Sequence, residues 1–243
     1  MISGNKPGAA LPTPNELIQA QESIDIDQQL KQLHTDFDPI YNMLMNYQCA
    51  VMEVETKFNI LNNRLSIQGE DNPIESIKSR VKTIDSIIRK LDKQNLPITI
   101  ESVEENLHDV AGVRIICSFV DDIYKLEECF LAQEDVTLVK RKDYIKDPKP
   151  GGYRSLHLIV KTPVYTEAGK KEMFVEVQMR TIAMDFWASL DHKLRYKKNL
   201  NPQTAAELAE ELEACAEESA KLDEKMLRVR NRIAADGAAA SDS

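Results

Sequence analysis

Apolar residues recur in steps of three and four along both ends of this chain, and in steps of two across its middle. The first helical pattern runs through Leu30, Leu33, Phe37, Ile40, Leu44, Tyr47, Val51, Val54, Phe58, Leu61 and Leu65. That spacing lays one apolar stripe along an α-helix. Asp38-Pro39 interrupts it, either as the N-cap and first residue of a fresh helix or as a kink. Residues 1–24 are rich in Pro, Gly, Asn and Gln, show little period and read as a flexible arm. Residues 68–72 read as a turn. Pro73 then opens a second helix to about Leu91, carrying Lys78, Arg80, Lys82, Arg89, Lys90 and Lys93. Such a face is more often plain solvated surface than a binding site.

The pattern then changes. Residues 101–107 read as a short helix, 111–119 as a strand, 121–132 as a helix and 136–140 as a strand. A basic loop over 141–150 leads to Gly151-Gly152. Strands follow at 155–162 and 173–180, joined by a hairpin turn near 167–171. In the last strand Met173, Val175, Val177 and Met179 share one face, and Phe174, Glu176, Gln178 and Arg180 the other. A helix over 181–197 buries Ala183, Trp187, Leu190 and Leu194, with Asp185, Ser189, His192 and Tyr196 on a second stripe. The last helix, from about Thr204 to Ile233, repeats the three-four rhythm, and the tail after Ala234 reads as disordered. These seams are core or oligomer interface.

The chain is therefore an α/β protein: an arm (1–24), then one domain (25–234) and a tail (235–243). The domain divides into a helical region (25–72), an α/β core (73–197) and a C-terminal helix (203–234). Its 243 residues suffice for that single core. A net charge of −9 argues against nucleic acid as the main partner, so an anion site must be a local cluster of cations. Four cysteines without paired spacing argue against a zinc site and fit a reduced cytoplasmic setting. Nothing reads as a signal peptide or membrane span.

The candidate chemistry gathers around Gly151-Gly152-Tyr153-Arg154-Ser155-Leu156-His157 and the 173–180 strand. The glycines allow a turn and close approach to a ligand. Tyr153 beside Arg154 suits base stacking and phosphate binding, against the alternative of an anchored surface tyrosine. Asp109, at a strand mouth, suits magnesium, which takes one or two carboxylates alongside phosphates. Its plain alternative is a cap or a pair with Arg114. Glu176, on a neighbouring strand, suits a second ligand or a general base. His157 faces the Glu176 side if the strands align, or is structural. His108-Asp109 also spells the dipeptide of metal-dependent phosphohydrolases, but four histidines in the whole chain supply too few ligands.

Taken in order, Arg80-Val81-Lys82 with Ser86-Ile87 and Lys90, the run His108 to Ile115, the run Lys149 to His157, and Glu176 to Thr181 resemble the RelA/SpoT synthetase domain. Within it the match is to the small single-domain alarmone synthetases, over roughly residues 40–230. That family transfers pyrophosphate from ATP to the 3′-hydroxyl of GDP or GTP. The resemblance implies a mixed sheet of about five strands flanked by helices, a GTP/GDP pyrophosphokinase without hydrolase activity, Mg²⁺ as cofactor and a homotetramer. It further implies that Arg80 and Arg114 sandwich adenine. Lys90, Lys82 and Lys93, with Ser86 nearby and Lys142 as a candidate, would hold the ATP phosphates. Tyr153 would stack on guanine, Lys149 and His157 would contact the acceptor phosphates, and Gln178 would lie beside Glu176. Asp109 and Glu176 would bind the metal, and Glu176 would activate the hydroxyl. Such transfer needs positioning and charge neutralisation rather than a covalent nucleophile.

Two other classes compete: a catalytically silent nucleotide- or RNA-binding regulator, and a nucleotidyltransferase acting on nucleic acid. The presence of both acids argues against the first and the charge against the second. One branch of the small synthetases is activated by product. Where it carries aromatic and basic residues, this chain has Ser76, Ile77 and Lys78 after Pro73-Ile74-Glu75, and Glu55, Asn59 and Asn62 on the preceding helix. The resemblance is thus to the branch that product does not stimulate.

Overall fold

The computed structural model describes the backbone of residues 14–67, 72–167, 169–195 and 201–241. Helix α1 (Pro14–Ile67) is followed by β1 (Ile74–Val81), α2 (Ile84–Lys93), α3 (Ile100–Asn106), β2 (Ala111–Cys117), α4 (Val120–Leu131) and β3 (Thr137–Asp143). The hairpin β4 (Leu156–Thr166) and β5 (Gly169–Thr181) comes next, then α5 (Ile182–Arg195) and α6 (Pro202–Ser241). By its internal contacts the chain divides after Met43, inside α1. The sheet and its covering helices belong to the second unit, Leu44–Ser243.

The strands form one mixed sheet in the order β1-β2-β5-β4-β3. Among the described residues only the central β2–β5 pair is parallel. One face is apolar: Val113, Ile115, Leu156, Leu158, Val175, Val177 and Met179 are all buried. The aromatic ring of Phe58 on α1 stacks on Phe130 of α4, with centroids 4.5 Å apart, among the buried Val51, Val54, Ile123 and Leu126. The alternation along β5 divides the faces as its sequence predicts, and the opposite face is left to polar side chains.

Several elements depart from the sequence pattern. The expected helix from Pro73 to Leu91 is a strand followed by a shorter helix. Ile74, Ile77, Val81, Ile84, Ile87 and Leu91 fall at helical steps, which hides the break. Strand pairing of β1 with β2 overrides that rhythm, and Thr83, the N-cap of α2, marks where it ends. Pro39 lies inside a continuous α1. Residues 14–24 are helical rather than a free arm, and α6 runs on through the expected tail to Ser241. Residues 1–13, 68–71 of the turn expected at 68–72, 168 of the expected hairpin turn, 196–200 at the expected helix end, and 242–243 lie outside the described residues. Strand β3 extends to Asp143, shortening the basic loop. On α5 the buried residues are Met184, Asp185 and Trp187, while Leu190 and Leu194 are exposed.

Helix α6 is tied to α5 and the sheet end by polar contacts. Trp187 Nε1 donates to the Leu212 carbonyl at 2.8 Å, and Thr181 Oγ1 donates to Asp223 at 2.6 Å. Gly152 explains the close approach of α6 to the loop before β4. Its φ is +87°, and a Cβ there would stand 2.4 Å from that of Ala216. The close contact this glycine permits is therefore with a helix of the same chain, not with a ligand as its sequence suggests.

Candidate active site

Strand register assembles the polar face into rows. Lys78 of β1, Arg114 of β2, Gln178 of β5, His157 of β4 and Lys142 of β3 stand opposite one another in sequence across the sheet. Two residues along, Arg80 pairs with Gly112 and Gly112 with Glu176. Gly112 leaves the floor open between those two side chains. A cavity of about 180 Å³ lies there, lined by Lys78, Arg80, Asp109, Gly112, Arg114 and Glu176. Arg80 and Arg114 also border a larger cavity of about 760 Å³, reaching Tyr153, Arg180 and the α5 residues Ser189 and His192.

Asp109 precedes β2. Its Oδ2 accepts from Lys90 Nζ at 2.5 Å and Lys82 Nζ at 3.3 Å. Its Oδ1 is buried with no hydrogen-bond partner. The alternative pairing with Arg114 does not form, because Arg114 donates instead to Asp185 at 3.3 Å. Neighbouring His108 is a packing residue, its ring stacked on Phe174 at 4.0 Å.

Glu176 is fully engaged. Its Oε1 accepts from His157 Nδ1 at 3.3 Å and its Oε2 from Gln178 Nε2 at 2.9 Å. Since a carboxylate only accepts, His157 carries its proton on Nδ1, and in the neutral ring Nε2 accepts from the Tyr153 hydroxyl at 2.8 Å. Arg180 Nη2 donates to that hydroxyl at 2.6 Å and to Gln178 Oε1 at 3.2 Å. Arg180, Tyr153, His157, Glu176 and Gln178 thus close a ring of hydrogen bonds. Burial pushes the Glu176 carboxyl up, but the bonds from His157 and Gln178 and the charge of Lys82 outweigh it and hold it at about 2. It is an anion at any working pH.

Asp185 of α5 is buried and gathers the cations at the other end. It accepts from Arg114, from Arg180 Nη1 at 3.2 Å and from Lys78 at 3.3 Å. Burial, then the charge of Arg180, pull the Arg114 guanidinium down from its usual range, while Asp185 opposes them. The Nε atoms of Arg114 and Arg180 are buried without partners.

Most residues singled out from sequence meet here: Arg80, Lys82, Lys90, Asp109, Arg114, Tyr153, His157, Glu176 and Gln178. Lys149 joins through aromatic rings, with its Nζ 4.3 Å from the centre of Tyr144 and 4.9 Å from that of Tyr153. Three are set apart. Ser86 lies in the first turn of α2, bonded to the Thr83 cap. Lys93 is exposed near the end of α2. Lys142 stands beside His157 on edge strand β3, across the sheet from the Asp109 lysines that the resemblance groups it with. Lys78, Tyr144, Arg180 and Asp185 are additions to the expected site. Arg180 has a signal in the β5 alternation and Asp185 in its helical stripe. Lys78 is hidden by the helical rhythm, and nothing local marks Tyr144.

The donor set suits a hard cation. Two carboxylates reach one small cavity, one of them with an unpartnered oxygen, which fits a hard divalent cation that takes only one or two protein carboxylates. No group of three or more His, Cys, Asp or Glu among the described residues forms an all-protein metal cage.

Acids, cations and stacking groups on one sheet face define a site for nucleotide phosphates. Residues 79–201 match the family described as "Region found in RelA / SpoT proteins". The chain is 45% identical over 201 residues to GTP pyrophosphokinase YwaC of Bacillus subtilis, covering 83% of this chain and 95% of that one. It is 37% identical over 190 residues to GTP pyrophosphokinase YjbM of the same organism, covering 78% and 88%. The crystal structure of small alarmone synthetase 1 from Bacillus subtilis, bound to its product pppGpp, superposes with a TM-score of 0.72. That match is 36% identical and covers 80% of this chain and 98% of that one. The chain belongs to the RelA/SpoT family.

Proposed function

We propose that this protein is a (p)ppGpp synthetase that transfers the β,γ-pyrophosphoryl group of ATP to the 3′-hydroxyl of GDP or GTP and releases AMP. The observation that carries the reading is the pair of acids in one cavity, Asp109 with an unpartnered oxygen among lysines and Glu176 held ionised within the Tyr153 ring. Relatives named GTP pyrophosphokinase and a neighbour holding pppGpp support it.

Asp109 and Glu176 would hold Mg²⁺, which when bound neutralises phosphate charge in the transition state. Arg80 and Arg114 clamp adenine between their guanidinium groups. Lys82 and Lys90 exchange Asp109 for the ATP phosphates, with Lys93 at the outer end of the chain and Ser86 near the first turn of α2. Tyr153 stacks on guanine, and Lys149 and His157 meet the acceptor phosphates, with Lys142 beside them. Glu176 accepts the hydrogen of the 3′-hydroxyl and orients its lone pair toward the phosphorus. A carboxylate held at about 2 is a weak base, so its main contribution is orientation and charge, and it takes the hydroxyl proton only as the new O–P bond forms and the bond from the β-phosphorus to the AMP oxygen breaks. Gln178 fixes its second oxygen.

The assembly is a homotetramer. Support comes from apolar side chains left exposed on α6 (Leu222, Met226, Val229, Ile233) and on α1 (Met52, Ile60). Free cysteines fit a reduced cytoplasm. None of the described helices is long and apolar enough to cross a membrane. With a net charge of −9, free nucleotides rather than nucleic acids are the substrates.

The test is incubation with magnesium, labelled ATP and GDP, GTP or GMP in turn, with products separated by chromatography. A labelled guanosine 3′-pyrophosphate is expected. Its absence with all three acceptors overturns the reading. Light scattering that gives a 27.6 kDa particle at micromolar concentration overturns the assembly.

A further inference from the structure

The edge strand β3 and the loop after it carry Lys142, Tyr144 and Lys149, yet β3 has only one neighbour in the sheet. What fixes it lies behind the sheet. Arg141 pairs with Leu158, so its side chain takes the apolar face while Lys142 takes the site face. There Arg141 meets buried Glu127 of α4 in a two-pronged pair, Nε to Oε1 at 2.6 Å and Nη2 to Oε2 at 2.9 Å. Arg141 Nη2 also reaches Asp143 at 3.3 Å, and Tyr124, one turn before Glu127, donates to the same carboxylate at 3.2 Å. Asp143 Oδ1 then accepts from the backbone N–H of Ile145 at 3.1 Å and Lys146 at 3.2 Å, setting the first turn of the loop. Tyr144 leaves that turn with its ring edge-on to His157 at 5.3 Å and beneath Lys149.

In sequence Arg141 belongs to the basic run that leads to the glycines. Its guanidinium is already satisfied by two carboxylates and faces away from the cavity. We propose that Glu127, Arg141 and Asp143 are positioning residues: a clamp from α4 that sets the acceptor side of the site through Tyr144, Lys149 and Tyr153 without touching substrate. The proposal rests on the synthetase reading and on the assignment of that loop to the acceptor.

The pair is charge-assisted and two-pronged, the arrangement in which one lost charge matters most. Glu127→Gln should therefore raise the KM for GDP about tenfold, with the KM for ATP and kcat changed less than about twofold. Tyr124→Phe, a milder change that keeps the ring, should raise the same KM about two- to threefold. Glu127→Gln combined with Arg141→Gln should be no worse than Arg141→Gln alone, since the arginine change already removes the pair with Glu127. A merely structural role would lower the folded fraction and the apparent kcat together and leave both KM values unchanged. Hydrogen exchange of residues 137–149 should quicken in both single variants. Tyr153→Ala, measured alongside, separates the two ideas. If wild type makes no product, or Tyr153→Ala leaves the GDP KM unchanged, the synthetase or acceptor assignment fails. If Tyr153→Ala raises it while Glu127→Gln and Tyr124→Phe do not, the clamp fails. Should Glu127→Gln not fold, Tyr124→Phe alone decides by the same criterion.

Discussion

The two sides of the polar face are built differently. Around Asp109 the cations are few-bonded: Lys82 and Lys90 share one carboxylate oxygen, the other oxygen has no partner, and Arg80 is exposed. Around Tyr153 the side chains are held in a closed ring of hydrogen bonds from Arg180 to Glu176 and by a loop clamped from behind. A polyphosphate chain needs cations that can exchange partners, and the Asp109 side offers them. A base and a hydroxyl need fixed positions, and the Tyr153 side supplies them without reorganisation. Glu176 stands where the two meet.

The largest expected effect is there. Glu176→Gln keeps size and removes charge, so kcat should fall by about 10³-fold or more while nucleotide binding persists. Asp109→Asn should weaken use of ATP with magnesium and leave the acceptor KM alone. Near-normal turnover in either variant removes the acid from the mechanism. Glu176 also makes a pH prediction. Its folded value lies at about 2 against an ordinary 4.5, so its contribution to stability is complete above about 4.5 and is lost as pH falls toward about 2. The stability difference between wild type and Glu176→Gln, followed by denaturant melts from neutral pH downward, should shrink through that window. A constant difference contradicts the ring.

Next in size are substitutions that separate the sides. Arg80→Ala should raise the ATP KM about tenfold and the GDP KM little, because stacking of ~1 kcal/mol or more is lost on one substrate. Tyr153→Ala should show the reverse bias. Equal effects on both substrates would dissolve the division. A fold-level counterpart compares two glycines. Gly152→Ala places a Cβ 2.4 Å from Ala216 at a φ of +87° and should destabilise by ~1–3 kcal/mol. At Gly112 the nearest atoms are 3.9 Å from an added Cβ, so Gly112→Ala should fold normally and lose activity instead.

How much of this is legible in the sequence follows the same division. The Tyr153 side depends on strand alternation, which a period of two announces. That period alone places Glu176, Gln178 and Arg180 on one face, and His157 on the Glu176 side. The Asp109 side depends on β1, whose apolar residues keep helical steps into α2. With polar Glu75 and Ser79 on the face opposite Lys78 and Arg80, and a register shift between Ile74 and Ser76, this edge strand shows no alternation, so the pattern puts Lys78 and Arg80 on the wrong kind of element. Contacts between distant elements are invisible in principle. Nothing local says that Arg141 belongs to Glu127, that Asp185 gathers three cations, or that Gly152 admits Ala216. Residue types announce the chemistry, but their partners are set by packing.

The smallest expected effect concerns regulation, and it asks whether loose cations exist outside the site as well. A cleft that binds guanosine polyphosphate needs exchangeable cations, as the Asp109 side has. Around β1 and the end of α1, Lys57 and Lys78 are committed, while Arg64 in the last turn of α1 is exposed. Lys57 is paired with Asp135 at 2.6 Å, and Lys78 with Asp185. Asn62 is occupied too, its Oδ1 accepting from the Ile74 N–H at 3.1 Å, which anchors the start of β1. Glu55 adds an acid on the same helix, and Ser76 and Ile77 offer no aromatic ring. A ligand with four or five phosphates would have to break existing ion pairs and meet a carboxylate. We therefore expect the initial rate at fixed ATP and GDP to change less than about twofold on adding micromolar pppGpp, below the usual range of allosteric coupling. A several-fold rise would show that the pairs of Lys57 and Lys78 exchange as readily as those of Lys82 and Lys90, and that the molecule carries a second region of the loose kind.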